Sequence, residues 1–154
     1  SCEVGKSHFL DIILKRTSPN TYLPTIGVDY AVYTHRTTKL CIWDTSGNDR
    51  FSTILRNFIL NSDVLICLYK DFKSYDYVHK LIKKMDLNTI TKIFFINVGK
   101  IDGAFDVENT KIYYLTCDLS DTKSCLDCVK VLIDICSEKK HSSAKKREWC
   151  SFWV

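Results

Sequence analysis

Three short stretches carry residue types suited to holding a phosphate and a divalent cation. Gly5-Lys6-Ser7 ends the pattern G-x-x-x-x-G-K-[ST], whose first glycine would fall one position before Ser1. In such a loop, backbone N–H groups and the helix dipole attract an anion. The lysine reaches the outer phosphates and the hydroxyl coordinates Mg²⁺. Gly-Lys-Ser alone is common by chance, but "IWDTSGND" raises the odds: a β-rich run ends in Asp44, and Ser46-Gly47 follow. An aspartate at a strand end can hold Mg²⁺ through water. Gly47 has no Cβ, so its N–H can approach a terminal phosphate. Thr25, in "PTIGVDY", offers a second hydroxyl to the cation.

These residues need elements to position them. "GKSHFLDIILKR" places Phe9, Leu10, Ile13 and Leu14 at helical spacing, and Pro19 limits its continuation. "TIGVDYAVYTH" and "TKLCIWDT" are β-rich, meet around "RTT" and predict an antiparallel hairpin. "SDVLICLYK", "TKIFFINVGK" and "TKIYYLTCD" are continuous apolar runs, the pattern of strands buried on both faces. "SYDYVHKLIKKM" puts Tyr77, Val78, Leu81, Ile82 and Met85 on one helical face, and "SCLDCVKVLIDIC" predicts a last helix. Alternating helices and buried strands imply an α/β sandwich with a mostly parallel sheet, whose ligands bind at the carboxyl ends of the strands. The candidate residues fall there.

The 154 residues suit one domain, and 45% hydrophobic with 26% charged residues is a globular composition. The net charge of +4 gathers in Lys139, Lys140, Lys145, Lys146 and Arg147. Such a cluster suits either a solvated tail or peripheral contact with an anionic membrane, and no nucleic-acid partner is expected. The eight cysteines lie largely in apolar stretches and indicate a reducing, cytoplasmic setting. Cys125-x-x-Cys128 shares a helical apolar face with Val129, Leu132, Ile133 and Cys136, so packing is the expected role rather than zinc or redox chemistry.

With "VGKS", "TIGVDY", "KLCIWDTSGNDRF" and the weaker "GKID" in order, the chain resembles the Rab family of small Ras-like GTPases over nearly its whole length. The resemblance implies a P-loop NTPase three-layer sandwich with a mostly parallel sheet and one antiparallel hairpin. It implies Mg²⁺-dependent binding of GTP and GDP, and two switch segments ordered by the terminal phosphate. Carried over, Val4, Gly5, Lys6 and Ser7 cradle phosphates, while Ser7, Thr25 and Asp44 hold the metal. Gly47 approaches the terminal phosphate. Lys100 and Asp102 match the base-reading Asn-Lys-x-Asp element, and Cys117 and Asp118 occupy the second base-contacting loop. Tyr30, Trp43 and Phe58 match an aromatic patch that meets effectors, with plain packing as the competing role. Effectors, exchange factors and GTPase-activating proteins in vesicle trafficking are the implied partners.

Departures from the family pattern qualify this. The first strand, central in the family's sheet, does not precede the phosphate loop in this sequence; its loss would leave an apolar slot with two unpaired edges, so either residues upstream of Ser1 supply it or the fold is compromised. The helix between the last two strands is expected to be deleted, because "IDGAFDVENT" is short. Glu3 stands where a glycine is usual, and Ser18 where an aromatic packs on the base. Asn48 occupies the catalytic glutamine position and is one methylene shorter, so hydrolysis should be slow. Gly99 replaces the base-reading asparagine. Cys150 is one residue too early for a prenylation signal, leaving palmitoylation as the lipid anchor to weigh. The expected organisation is a GTPase domain over 1–138, incomplete at its N-terminus, and a basic, disordered tail over 139–154. Two readings follow: a GTP/GDP switch with slow hydrolysis, or a pseudo-GTPase interaction module that keeps the effector-like surface.

Overall fold

The structure is a computed structural model, and it describes residues 4–16, 25–47, 57–84, 90, 92–99, 111–137 and 147–153, the last as backbone. Helix α1 spans Lys6–Leu14. Gly5 opens it at φ 90°, a left-handed conformation that glycine adopts without strain. It closes where the Lys15 N–H donates to the Ile12 carbonyl and Arg16 N–H to that of Asp11. Its buried face is Phe9, Leu10 and Ile13, close to the periodicity expected from sequence.

The hairpin follows as β1 (Val28–His35) and β2 (Thr38–Thr45), paired antiparallel with Tyr30 opposite Trp43. Its turn is Arg36-Thr37, with Arg36 left-handed at φ 53°. Strand β3 (Val64–Tyr69), helix α2 (Phe72–Lys83), strands β4 (Lys92–Asn97) and β5 (Lys111–Thr116), and helix α3 (Thr122–Ser137) complete the alternating pattern. β3, β4 and β5 pair in parallel.

All six residues of β3 and of β4 are buried, because each strand feeds two cores. Leu40, Ile42, Val64, Ile66, Leu68, Phe94 and Ile96 join α1 and α3 on one face. Leu65, Cys67, Tyr69, Ile93 and Phe95 join Val78 and Ile82 of α2 on the other. Alternation along a strand sends successive side chains to opposite faces, so one apolar run packs both helical layers. Burying each such side chain contributes roughly 1.5–3 kcal/mol. The result is the expected three-layer P-loop NTPase-like sandwich. On α3, Cys125, Cys128, Val129, Leu132, Ile133 and Cys136 are all buried. Burial pushes the Cys125 thiol up to about 12 and Cys136 to about 11, so both behave as packing groups.

The largest departure from expectation concerns the tail. Residues 147–153, expected to be disordered, form strand β6 (Arg147–Trp153). The sheet order is β1-β2-β6-β3-β4-β5, which puts β6 in the position that the resemblance gives to the family's first strand. It runs parallel to both neighbours. Backbone N–H and C=O groups in the middle of a sheet need partners, and β6 supplies them along Thr38–Asp44 of β2 and Val64–Ile66 of β3. Residues 139–146 and Met85 lie outside the described residues. So does 100–110, on which the expected helix deletion falls. No described helix is long and apolar enough to cross a membrane.

Candidate phosphate and metal site

At the carboxyl end of β2, helix α1, the segment before β1 and β2 itself bring oxygen donors together. Ser7 of α1 donates its hydroxyl to Asp44 Oδ2 at 2.6 Å, and its Oγ lies 2.9 Å from Thr25 Oγ1. The Thr25 hydroxyl reaches the same carboxylate oxygen at 3.4 Å. Asp44 is only 3% exposed, yet its Oδ1 has no hydrogen-bond partner among the described residues. A buried carboxylate oxygen without a partner is costly. Burial accordingly raises the Asp44 pKa, opposed by the Ser7 hydrogen bond, the Lys6 charge and the Thr25 hydroxyl. Two hydroxyls and a carboxylate with a spare oxygen form a hard donor set that fits Mg²⁺.

Beside it, Gly5 and Lys6 start α1, with the Phe9 N–H donating to the Gly5 carbonyl at 2.8 Å. Gly5 is favoured by its positive φ; a Cβ there would stand 2.5 Å from Leu119 Cδ1, a side-chain end that can shift. Val4 is buried in the core below the loop, and Lys6 is also buried. The Ser46 N–H donates to the Gly27 carbonyl at 2.9 Å, which ties the two ends of the hairpin together just before Gly47.

The expected base-reading side is built differently. Asn97 Oδ1 accepts from the Gly99 N–H at 2.9 Å, and its carbonyl accepts from the Cys117 N–H at 2.9 Å. A Cβ on Gly99 would lie 2.0 Å from the Lys70 carbonyl oxygen. The backbone at 99 is therefore packed against the end of β3, and no side chain fits without movement. The Asp118 N–H donates to Ser124 Oγ at 3.0 Å, while its carboxylate accepts from the Ser120 N–H and hydroxyl. The N–H groups of both Cys117 and Asp118 are thus engaged within the protein.

A third grouping is aromatic. Tyr30 and Trp43 have ring centroids 4.7 Å apart, and Trp43 and Phe58 4.8 Å. Tyr30 is 46% exposed, whereas Trp43 and Phe58 also pack on the core beneath α2. Nearby in sequence, Ile26 is 88% exposed.

The structure thus brings Ser7, Thr25 and Asp44 together, sets Gly5 and Lys6 beside them, and stacks Tyr30, Trp43 and Phe58. Asn48, Lys100 and Asp102 lie outside the described residues, as do Glu3 and Ser18. Sequence reading missed Leu119, which links the loop after β5 to the phosphate loop, and Ser124, which takes the Asp118 N–H. Neither carries a motif signal, since both act through tertiary packing.

This is a P-loop NTPase-like architecture. A family model described as "Ras of Complex, Roc, domain of DAPkinase" matches residues 1–102. The chain belongs to that family, within the Rab/Ras superfamily of small GTPases. It is 34% identical over 102 residues to GTP-binding protein YPT1 of Saccharomyces cerevisiae, covering 62% of this chain and 50% of that protein. Against Ras-related protein Rab-1 of Theileria annulata it is 35% identical over 101 residues, covering 63% and 45%. Against Ras-related protein RabC of Dictyostelium discoideum it is 34% identical over 104 residues, covering 62% and 53%. The chain spans about half the length of the curated relatives it matches.

Proposed function

We propose that this chain is a Rab-like, Mg²⁺-dependent GTP/GDP-binding switch with slow hydrolysis. The observation that carries the reading is the convergence of Ser7, Thr25 and Asp44, whose Oδ1 has no partner among the described residues, beside Gly5 and Lys6. Lys6 and the N–H groups at the start of α1 hold the phosphates. Ser7, Thr25 and Asp44 hold the cation, which when bound neutralises phosphate charge. The Gly47 N–H meets the terminal phosphate, so Thr25 and Gly47 report which nucleotide is present, as in switch segments. Asn48 takes the water-orienting position with a shorter reach, which slows turnover. Lys100 and Asp102 contact the base. Tyr30, Trp43 and Phe58 present the surface for effectors, exchange factors or activating proteins in cytoplasmic vesicle traffic, with the lysines of 139–146 favouring peripheral contact with anionic membrane.

A second reading, the pseudo-GTPase interaction module, is favoured by the base side, where Gly99 is packed on Lys70 and the N–H groups of 117 and 118 are engaged. Chromatography of nucleotide released from the purified, denatured chain separates the two. Stoichiometric GTP or GDP supports the switch. An empty, folded protein that also ignores added Mg²⁺ and GTP supports the module.

A further inference from the structure

Strand β6 pairs along seven residues with β2, from Thr38 opposite Arg147 to Asp44 opposite Trp153. On its other side only Ser151–Trp153 pair, with Val64–Ile66 of β3. Cys67–Tyr69 of β3 have no strand partner on that side among the described residues. The two flanks are therefore unequal, and β6 is held chiefly by the hairpin. It is also the last described element in chain order, joined to α3 through residues 138–146. Its departure breaks its own two pairings and leaves those of β1–β2 and β3–β4–β5 intact. β2 and β3 do not pair directly, so without β6 the sheet divides into those two parts.

We propose that the cleft between β2 and β3 is a strand-docking site, and that Arg147–Trp153 is its detachable occupant. The cleft takes an extended, apolar-aromatic segment of this length, parallel to β2. Recognition comes from main-chain hydrogen bonds, as in strand addition at a sheet edge. The flanking strands carry Leu40, Ile42, Val64, Leu65 and Ile66, all at most 1% exposed, so a docked strand enters the middle of the core rather than its rim. Tethering gives the occupant a high effective concentration, which keeps the cleft filled in the intact chain and closed to the same peptide added from solution. One consequence rests on the proposed function: Trp153 stands in register with Asp44, so withdrawal of β6 frees the strand that carries the metal-binding carboxylate. The docking itself does not depend on nucleotide.

The test is amide hydrogen exchange on the nucleotide-free full chain, followed by peptide capture. Amides of 147–153 should be protected, yet exchange at least ~10-fold faster than those of β4, because detachment precedes global unfolding. Unprotected amides across 147–153 would overturn docking, and protection equal to that of β4 would overturn detachability. In the full-chain variant Ser151→Pro, which lacks the N–H in the doubly paired part of β6, a fluorescent peptide of residues 147–154 should bind. A scrambled peptide should not, and the unsubstituted chain should bind neither. A variant that keeps β4 protection but ignores the peptide would overturn the proposal. Should Ser151→Pro fail to fold, the exchange rates of the unsubstituted chain decide the question.

Discussion

The two ends of the candidate nucleotide site are built on different principles. At the candidate phosphate end, Ser7, Thr25 and Asp44 converge from three segments, and a buried carboxylate oxygen has no partner among the described residues. At the base end, the described polar groups satisfy one another: Asn97 binds Gly99 and Cys117, and Ser124 takes the Asp118 N–H. Unspent hydrogen-bonding capacity in a buried place is a cost unless a ligand meets it. The contrast teaches that, among the described residues, unspent hydrogen-bonding capacity lies at the candidate phosphate end and not at the candidate base end.

The strongest way to break that contrast is at Lys6. Lys6→Ala removes the proposed charge-assisted phosphate contact and should weaken nucleotide binding about 10- to 100-fold by equilibrium titration. An unchanged affinity would mean that the phosphate end does not bind phosphate.

Asp44→Asn should come next, with Mg²⁺ no longer strengthening nucleotide binding and an affinity loss of about 10-fold. The same variant has a signature without ligand. In the metal-free chain the Asp44 pKa is raised by burial above its ordinary 3.8. The folded state then binds this proton more tightly than the unfolded state, so stability falls as pH rises through the raised pKa. Asp44→Asn should remove that slope and raise the metal-free Tm at neutral pH. A lowered Tm would show that the carboxylate is already satisfied in the chain.

Gly99→Asn sharpens the contrast. If the base end merely lacked a side chain, restoring asparagine would tighten guanine nucleotide binding. The 2.0 Å approach to the Lys70 carbonyl predicts no gain, and a destabilisation of about 1–3 kcal/mol by chemical denaturation.

The smallest effect is expected at Asp71, away from both ends. Its carboxylate accepts from the Ser74 N–H at 2.7 Å and caps α2, as part of a capping box. Hydrogen bonds to the Ser74 hydroxyl and N–H hold its pKa below 3.8, so the stabilisation is present above that pH and fades as pH falls through the lowered value. Asp71→Ala should lower Tm by a few degrees at neutral pH, with nucleotide affinity unchanged.

Much of the phosphate end was legible in sequence, because it is written in contiguous motifs. Gly5-Lys6-Ser7 and Asp44-Thr-Ser-Gly47 each sit where an element starts or ends, and a strand-end position fixes where a side chain points. The helices and buried strands were legible for the same reason, since Val78 and Ile82, or Cys125 and Val129, repeat with the helical period. The base end was not, because its state depends on approaches between distant segments. Gly99 read as a lost asparagine, whereas the Lys70 carbonyl beside it leaves no room for one. Leu119 near Gly5 is also a contact between distant segments, though there a flexible side chain rather than backbone makes the approach. The C-terminal strand was hidden for a further reason. Lysines at 139–146 dominate the composition there, and the pairing that orders Arg147–Trp153 is supplied by β2 and β3, more than 75 residues earlier in the chain.

The most direct measurement is the affinity of the intact chain for GTP and for ATP, each with Mg²⁺ and again after chelation, by fluorescent-nucleotide titration. The proposed phosphate-and-cation-centred site predicts that chelation weakens both, and that GTP is preferred by no more than about 100-fold, the gain expected of one or two discriminating hydrogen bonds to the base. Binding insensitive to chelation, a guanine preference of many thousandfold, or no binding of either nucleotide would contradict it.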